Sequence, residues 1–381
     1  MLRRTALIAL LFTSFGAGQV LEPTAKDAPL LELGEKLATA MTERDASVLV
    51  SSVNWDTMVD RVFLGTKIDA AMEAGMRQGF TTLQSTLPNQ LVASVGSEGS
   101  YVFRGITNRG GERHLLFRMT SDAGLNYHEF PVGSNSNDEP ELLDIFAYST
   151  GEYMSETMRT AVQEALGMRS IEIGGLEFAN KLRESQQLLL AGKPHEAWEI
   201  LSTFPDDVNQ VRIVYLVRVQ TTAQLGDSQE DHERYLAAID DYAKAYPNDT
   251  ALSLVAIDGY FLREQYEDCR RVLTRLEKTV GEDGYLRFLA GSTLVQEGEY
   301  DLAKKEMERA LEIEPGLDDA LYGMVDVANA AKDWPGVVKA LVRCEKELDA
   351  EFELEDVAEF ADFIKTKEYR GWKKIPAGAE A

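Results

Sequence analysis

Cysteine and histidine are scarce in this 381-residue chain, which contains two cysteines and four histidines. No cysteine pair at metal-ligand spacing and no His-Glu-x-x-His motif occurs, which argues against the common zinc sites and the hydrolases that use them. The chain also lacks a phosphate-binding glycine-rich loop and a nucleophile elbow. We therefore expect no metal, no cofactor and no enzymatic activity.

Basic residues are also few relative to acidic ones. The chain carries 39 Lys and Arg against 64 Asp and Glu, for a formal net charge of −25 at pH 7. A surface this acidic repels phosphate backbones and anionic lipids, so we expect neither as a partner. Two interpretations of the excess acid are open. It keeps helix surfaces solvated, or it attracts a basic protein partner.

Long hydrophobic runs are absent except near the amino terminus. Arg3 and Arg4 precede an apolar stretch that ends at Phe15 and is too short to span a bilayer, and small residues follow at 16–18. This pattern predicts a signal peptide over residues 1–18. It predicts export to the bacterial periplasm or the cell exterior, with no membrane insertion once the signal is removed. The alternative is an uncleaved segment that anchors the protein.

A repeat with a period of 34 residues is present in the carboxy-terminal half. Four sets of residues recur at this spacing: Tyr266, Tyr300 and Trp334; Cys269, Ala303 and Val337; Leu273, Met307 and Leu341; Leu276, Ala310 and Cys344. A fixed period of this length is typical of a solenoid of helical hairpins, an architecture that binds other molecules. We expect three regular units that begin near Thr250, Gly284 and Asp318, preceded by less regular hairpins at 176–204 and 211–246.

The most regular unit, residues 284–317, resembles the tetratricopeptide repeat (TPR). Gly291 lies where two helices must approach closely, and Ala303 and Ala310 occupy the small positions of the second helix. The resemblance extends over about residues 176–350. It implies an all-α solenoid whose concave face, lined by the first helix of each unit, binds an extended peptide or a helix.

Nine residues occupy the concave positions of the TPR family in this chain: Leu254, Asp258, Phe261, Phe288, Ser292, Val295, Tyr322, Asp326 and Asn329. This mixture of apolar and acidic side chains suits a protein or peptide partner that carries apolar anchors together with Lys or Arg. Relatives that clamp a terminal carboxylate have Lys and Asn at several of these positions. Asp258 and Asp326 stand there in this chain and argue against that ligand. The alternative is a groove that faces only solvent or the amino-terminal domain.

The two cysteines, Cys269 and Cys344, occupy interior positions of different repeats. They are two repeats apart, which places them beyond the reach of a disulfide even in an exported protein. We expect both to be small buried hydrophobic side chains.

Residues 27–150 have a different pattern. Apolar residues recur at helical spacing over 27–44, 55–63 and 67–83. Five β-rich runs separated by turn residues follow, at 91–95, 101–107, 114–119, 125–132 and 142–148. Because short turns join neighbouring strands as hairpins, the sheet is predicted to be antiparallel and curved, with the helices over one face.

This order of elements resembles that of the cone-shaped nuclear-transport-factor-2-like (SnoaL-like) superfamily, and a cystatin-like or unclassified α+β roll is the alternative. The superfamily includes small-ligand pockets and some enzymes. If the sheet faces meet inside a cone, His128, Asp144 and Tyr148 would form a hydrogen-bonded set suited to acid–base chemistry. The alternative is that all three are surface or structural polar residues.

Two further segments complete the expected architecture. Residues 151–175 are predicted to link the domains through a helix over 156–166. Residues 351–381 are predicted to form a capping helix over 357–372 and a tail, because a solenoid needs a cover for its last apolar face. The predicted fold is therefore multidomain, with an α+β domain over 27–150 followed by an all-α TPR solenoid.

The function that this architecture favours is that of an exported, non-enzymatic scaffold or adaptor that binds a protein or peptide in its concave groove. The alternative function is a small-ligand-binding or enzymatic amino-terminal domain, for which the repeats serve as a targeting arm. A deep polar pocket around His128 and Asp144 would favour the alternative, and a filled apolar interior would favour the scaffold.

Overall fold

The structure is a computed structural model that describes residues 19–97, 99–121, 124–166, 175–205, 211–226, 228–247, 249 and 251–374. The predicted signal peptide lies outside these residues, as do part of the predicted linking region and the end of the tail. Within the described part of the chain, no helix combines the length and the apolar character needed to cross a bilayer.

Among the described residues, five α-helices lie before the first long strand of the sheet, where the sequence predicts three. They are α1 (Ala28–Thr42), α2 (Ser47–Ser52), α3 (Trp55–Phe63), α4 (Ala70–Phe80) and α5 (Leu83–Val95). The strand predicted over 91–95 is wrong, because these residues form the last turns of α5. Val92 and Val95 pack into the core there, and Gly96 follows the helix with a φ of 74°. A short apolar run fits either structure, and its packing partners decide which one forms.

In the described part of the chain the sheet has seven strands, and it is antiparallel, as predicted. The strands are β1 (Gln19–Val20), β2 (Ser100–Arg109), β3 (Glu112–Ser121), β4 (Gly124–Ser134), β5 (Pro140–Leu142), β6 (Phe146–Ala147) and β7 (Glu152–Tyr153). Their order is β1-β2-β3-β4-β6-β7, and β5 also pairs with β4. The single strand predicted over 142–148 is two short strands, β5 and β6, with a break between them.

The two faces of the sheet bury different residues. The pairing of Leu115 with Phe130 places one alternating set beside the helices, where its apolar members share a core with α1, α2 and α5. The other set, which includes Leu116 and Tyr127, packs against the helical repeats. The helices therefore cover one face, as predicted, and the second face is a contact between the sheet and the solenoid.

After α6 (Met154–Ala165), the described residues form five helical hairpins. They are α7 (Gly175–Leu190) with α8 (Pro194–Ser202), α9 (Arg212–Thr222) with α10 (Gln229–Ala245), α11 (Leu252–Leu262) with α12 (Tyr266–Val280), α13 (Gly284–Gln296) with α14 (Tyr300–Ile313), and α15 (Asp318–Ala330) with α16 (Trp334–Leu348). An α+β region followed by a TPR-like helical solenoid is the fold class that the sequence predicts.

Small residues allow the helices of the repeats to approach closely. A Cβ atom added at Gly291 would lie 3.0 Å from Met307 Cε, and one added at Gly323 would lie 2.8 Å from the same atom. Ala303 and Ala310 are fully buried on α14, at the small positions of the repeat. Larger side chains at any of these positions would force the helices apart.

Two other sets of repeat residues also take their predicted places. Tyr266, Tyr300 and Trp334 are the first residues of α12, α14 and α16. Cys269 and Cys344 are free thiols in the helical core, and burial raises the pKa of each to about 11. Both cysteines are therefore packing residues in their protonated form.

The carboxy-terminal cap differs in form from the predicted single helix. Residues 358–360 and 363–365 form short 3-10 turns, and only α17 (Lys367–Trp372) is an α-helix. Thr366 starts α17, because its hydroxyl oxygen accepts the backbone N–H of Tyr369 at 3.1 Å. Phe360, Phe363 and Trp372 pack with α15 and α16 in one core. The segment still covers the last apolar face of the solenoid.

The first strand contributes to the contact between the sheet and the solenoid. Val20 pairs with Thr107 at the edge of the sheet and packs among residues of α12 and α13. Its side chain lies against Gly281 in the α12–α13 connection, where a Cβ atom would be only 2.6 Å from Val20 Cγ2. Gly281 also has a φ of 81°, so both its conformation and its position favour glycine.

Two arginines of the sheet bind two carboxylates of the solenoid. Arg118 donates to Asp283 Oδ1 at 2.6 Å and to both oxygens of Glu314, at 2.7 and 2.8 Å. Arg104 donates to Glu314 Oε2 at 3.1 Å and lies 3.2 Å from Asp283 Oδ2. We call these four residues the arginine clamp. The side chains of Arg118 and Asp283 are each 1% exposed, so the centre of the clamp is closed to water.

The arginine clamp is charge-balanced and coupled to the start of a helix. Burial alone would lower the pKa of Arg118, but the carboxylates of Glu314 and Asp283 outweigh it and raise that pKa above its usual value. Asp283 is also the N-cap of α13, because its Oδ1 accepts the backbone N–H of Tyr285 at 2.8 Å. The carboxylate that receives Arg118 is thereby fixed in place by the helix that follows it.

A second polar contact joins the two regions near the end of the sheet. Arg212 on α9 donates to Glu152 Oε1 at 2.8 Å and to the backbone oxygen of Thr150. The same guanidinium pairs with Asp249, which precedes α11. Arginine is thus the side chain that links the sheet to the solenoid at both places.

Replacing Arg118 with Met should destabilise the protein by about 3 kcal/mol, because Asp283 and Glu314 would keep their buried charges with only Arg104 to pair them. Urea unfolding at pH 7 measures this effect. Arg309→Met is the matched control, since Arg309 pairs with Glu282 and Glu312 on the surface and should matter little. Equal unfolding midpoints for the two variants would contradict a stabilising clamp.

Candidate partner-binding groove

The nine residues predicted to line the groove lie on α11, α13 and α15, in three different surroundings. Leu254 is buried against the sheet, and Val295 packs half-buried in the core between α13, α14 and α15. Four others line one open pocket: Asp258, Phe261, Phe288 and Ser292. The remaining three, Tyr322, Asp326 and Asn329, lie at the carboxy-terminal end of the groove.

The chain's own carboxy-terminal segment contacts that end of the groove. The ring of Tyr322 lies 6.2 Å from that of Phe352, centroid to centroid. Asn329 Nδ2 donates to the backbone oxygen of Glu359 at 2.9 Å. Burial and the charge of Glu359 both raise the pKa of Asp326. The predicted groove is therefore partly occupied at α15, and it is open at α11 and α13.

The open part is an apolar pocket of about 420 Å³ on the concave face. Its lining comes from α10, α11, α12 and α13: Tyr235, Ile257, Asp258, Phe261, Leu262, Cys269, Phe288, Leu289 and Ser292. Phe261 is 37% exposed and Leu262 is 42% exposed, and the two lie side by side at this pocket. We call this the groove pocket.

Asp258 is the charged residue of the groove pocket. It accepts a hydrogen bond from the Tyr235 hydroxyl at 3.1 Å, and no ion pair to it is found in the described part of the chain. Asp258 is exposed to solvent in the open groove. Partial burial of its carboxylate raises the pKa, although the hydrogen bond from Tyr235 opposes this shift. An exposed carboxylate beside apolar side chains, with no cation bound to it in the described part of the chain, is available to pair with a cation of a ligand.

Sequence reasoning missed Tyr235 as a pocket residue, although a signal was present. Tyr235 stands at a position of the second repeat helix where the TPR pattern has a small residue. On α10 it is buried, and its hydroxyl reaches across to Asp258 on the next hairpin. A tyrosine at a position that usually holds a small residue was therefore a sign that this side chain does more than pack between the two helices.

The helix-facing side of the sheet holds His128 in a closed hydrogen-bond network. Asn126 Oδ1 accepts the backbone N–H groups of Tyr127 and Ser149, both at 2.9 Å, which fixes the orientation of the amide. Asn126 Nδ2 therefore donates to His128 Nε2 at 3.0 Å, and the ring proton lies on Nδ1, 3.0 Å from the Tyr101 hydroxyl. Burial lowers the pKa of His128 to about 4, so the ring is neutral at pH 7.

The structure does not bring His128, Asp144 and Tyr148 into one hydrogen-bonded set. Asp144 lies in the break between β5 and β6, where its Oδ2 accepts the Ser155 hydroxyl at 2.5 Å. Tyr148 lies on the solenoid side of the sheet and donates to Glu129 Oε1 at 2.9 Å. The predicted set does not form, because the break after β5 moves Asp144 away, and His128 and Tyr148 lie on opposite faces of the sheet.

A buried polar cluster on the solenoid side was not predicted. Arg109 donates to Glu129 Oε2 at 2.6 Å and to the Tyr148 hydroxyl at 3.0 Å, and His114 Nδ1 lies 3.5 Å from the same Glu129 oxygen. Burial raises the pKa of Glu129, but His114 and Arg109 outweigh burial and lower that pKa to about 2. No motif links these residues in sequence, and only the strand register places them together.

Metal ligation has no obvious place in the described residues. Among them, no group of three or more His, Cys, Asp or Glu side chains lies close enough together to hold an ion. The side chains of His128, Glu129 and Asp144 instead form hydrogen bonds to tyrosine, asparagine, arginine and serine side chains.

Comparisons with known proteins add little to this geometry. No family model matches the chain, and no curated protein sequence matches it either. Among solved structures, the chain is similar to MamA from Desulfovibrio magneticus RS-1, residues 41 to the end. The match covers 47% of this chain and 99% of that chain, with 16% sequence identity and a TM-score of 0.40. The superfamily resemblance of residues 27–150 stays a prediction.

The buried neutral His128 should make stability fall as the pH drops. In the unfolded protein His128 becomes protonated near pH 6.5, whereas in the folded protein it becomes protonated only near pH 4. The contribution of His128 to the free energy of unfolding is therefore complete above pH 6.5. It falls by about 3 kcal/mol as the pH decreases to 4. Urea unfolding between pH 7 and 4 should show a shallower slope for His128→Asn than for the wild type. Parallel curves would contradict this assignment.

Proposed function

We propose that this chain is an exported, non-enzymatic interaction scaffold whose groove pocket binds a protein segment that carries a basic and an apolar side chain. The observation that carries the proposal is the groove pocket itself. There, the unpaired carboxylate of Asp258 lies beside two exposed apolar side chains, Phe261 and Leu262. Exposed apolar groups around a charge of one sign are typical of recognition surfaces.

The arginine clamp supports a basic partner. Acidic residues of the solenoid, Asp283 and Glu314, already accept arginines from the protein's own sheet. Asp258 lies on the neighbouring hairpin and has no such partner among the described residues. A chain with a net charge of −25 also attracts basic molecules over long distances and accelerates their association.

The alternative, a small-ligand or enzymatic amino-terminal domain, receives less support. Most of the space between the sheet and the helices is filled by the side chains of an apolar core, which includes Met41, Leu115 and Phe117. A cavity of about 430 Å³ at the end of the sheet is lined by His128 but not by Asp144. His128 and Asp144 each have their hydrogen bonds within the protein. This arrangement favours the scaffold over a catalytic site in the sheet.

Export is part of the proposal and is supported by the arginines, the apolar stretch and the small residues of 1–18. When the full gene is expressed in a bacterium, the mass of the purified protein should correspond to a chain that starts close to Gln19, and the protein should be found in the periplasmic or medium fraction. A mass that retains residues 1–18, in a membrane fraction, would instead support an uncleaved anchor.

Peptide selection tests the groove pocket directly. Random peptides displayed on phage and selected on the chain from residue 19 onward should be enriched in Lys or Arg near Leu, Ile or Phe. Asp258→Asn and Phe261→Ala should each weaken a selected peptide at least about tenfold in fluorescence anisotropy, because a charge-assisted contact or an apolar contact is lost.

The matched control variants are Asp301→Asn and Leu302→Ala on α14. Both residues are exposed, Leu302 at 47%, and neither lines the groove pocket. The control variants should bind the selected peptides as the wild type does. Selection of acidic peptides, or equal losses in the control and pocket variants, would overturn the proposed function.

A further inference from the structure

A second cavity, of about 430 Å³, lies between the end of the sheet and the concave face of the solenoid. The sheet contributes side chains from the end of β3 and the beginning of β4, including Met119, Leu125 and His128. Helices α9 and α11 contribute most of the opposite wall, including Leu216, Val219 and Val255. We call it the interdomain chamber, because neither region forms it alone.

The interdomain chamber and the groove pocket meet at Asp258. Four residues line both cavities: Tyr235, Ile257, Asp258 and Leu289. A ligand held at the Asp258 carboxylate therefore has an apolar cavity on each side of it. One cavity is lined by Phe261 and Phe288, and the other lies beneath the end of the sheet.

The interdomain chamber presents an uncharged wall beyond Asp258. The polar groups of Asn126 and His128 are engaged with each other, with Tyr101 and with Ser149, so they offer little to a charged ligand. The other polar lining groups are neutral amides and hydroxyls, such as the amides of Gln220 on α9 and of Gln224, which follows α9. This chamber suits an apolar side chain, and it disfavours a second charge, which would be left without a partner.

We propose that the partner segment carries one Lys or Arg between two apolar side chains. The cation pairs with Asp258, one apolar side chain enters the groove pocket, and the other enters the interdomain chamber under the end of the sheet. This inference rests on the proposed function and deepens it, because it makes the amino-terminal domain a part of the recognition site. The order of side chains is thus apolar, basic, apolar.

Charge and occupancy favour this occupant over others. Asp258 is the acidic residue at the junction, and the solenoid already pairs its neighbouring acids with arginine. At α15 the groove is contacted by residues Phe352 and Glu359 of the same chain. A segment that leaves Asp258 can therefore extend toward the sheet, where the second chamber lies.

Two series of four fluorescein-labelled peptides test the order of side chains on the whole chain from residue 19 onward. Each has one Arg in a serine–glycine background, with Leu on both sides, on the amino-terminal side only, on the carboxy-terminal side only, or on neither. One series places a single Ser between Arg and Leu, and a second series places two. The two-leucine peptide of one series should bind about tenfold tighter than either one-leucine peptide, because each buried leucine adds to affinity.

Filling the interdomain chamber should remove the advantage of the second leucine. Gln220 is an exposed residue of α9 that lines this chamber and not the groove pocket, so Gln220→Trp narrows the chamber without changing the core. The variant should bind the two-leucine peptide about tenfold more weakly than the wild type does. It should bind the one-leucine peptide whose leucine enters the groove pocket with the affinity of the wild type. Gln224→Trp, at another exposed lining position, serves as the second variant if the first unfolds in urea at a lower midpoint.

The outcomes separate the two proposals. If Asp258→Asn weakens every peptide while the two-leucine and one-leucine peptides bind equally well, the proposed function stands and the two-chamber inference is wrong. If no peptide binds, or Asp258→Asn has no effect, both are wrong. If octylamine, a small apolar cation, displaces the two-leucine peptide at equal concentration, the junction is a small-molecule site, and the inference of a peptide segment is overturned.

Discussion

The pairing of Arg104 and Arg118 with Asp283 and Glu314 is the interaction on which the arrangement of this molecule depends. Charges this deeply buried are tolerated only when each is matched, because an unpaired one costs several kcal/mol. The arginines come from the sheet and the carboxylates from the solenoid, so neither region satisfies its own charges. The two regions therefore form one unit, and the sheet covers part of the concave surface that repeat proteins usually leave open.

This arrangement determines which part of the groove remains available. The sheet lies against α11, α12 and α13 on one side, and the carboxy-terminal segment contacts α15 on the other. Between them lies Asp258, surrounded by apolar side chains and connected to two cavities. The protein thus uses arginine–carboxylate pairs within itself, and the Asp258 carboxylate has no cation bound to it among the described residues.

The repeat half was predictable because its signal is local. The 34-residue spacing placed Tyr266, Tyr300 and Trp334 at helix starts, and small residues such as Gly291 marked close helix contacts. Asp258 could be found for the same reason. The break near Asp144, the helical form of 91–95 and the two-cavity site were not predictable, because they depend on contacts between residues far apart in sequence. Arg118 and Asp283 are 165 positions apart, and no pattern in the chain pairs them.

The place of Val20 has a consequence for the order in which the protein folds. This residue packs against Gly281, so the beginning of the described chain and the third helical hairpin meet in one layer. Contacts of such long sequence separation form late, because the intervening chain must first be ordered. Until this contact forms, the edge of β2 lacks its pairing with β1. The apolar surface of α12 likewise lacks its contact with Val20. The native contact can form only after most of the repeats have been synthesised.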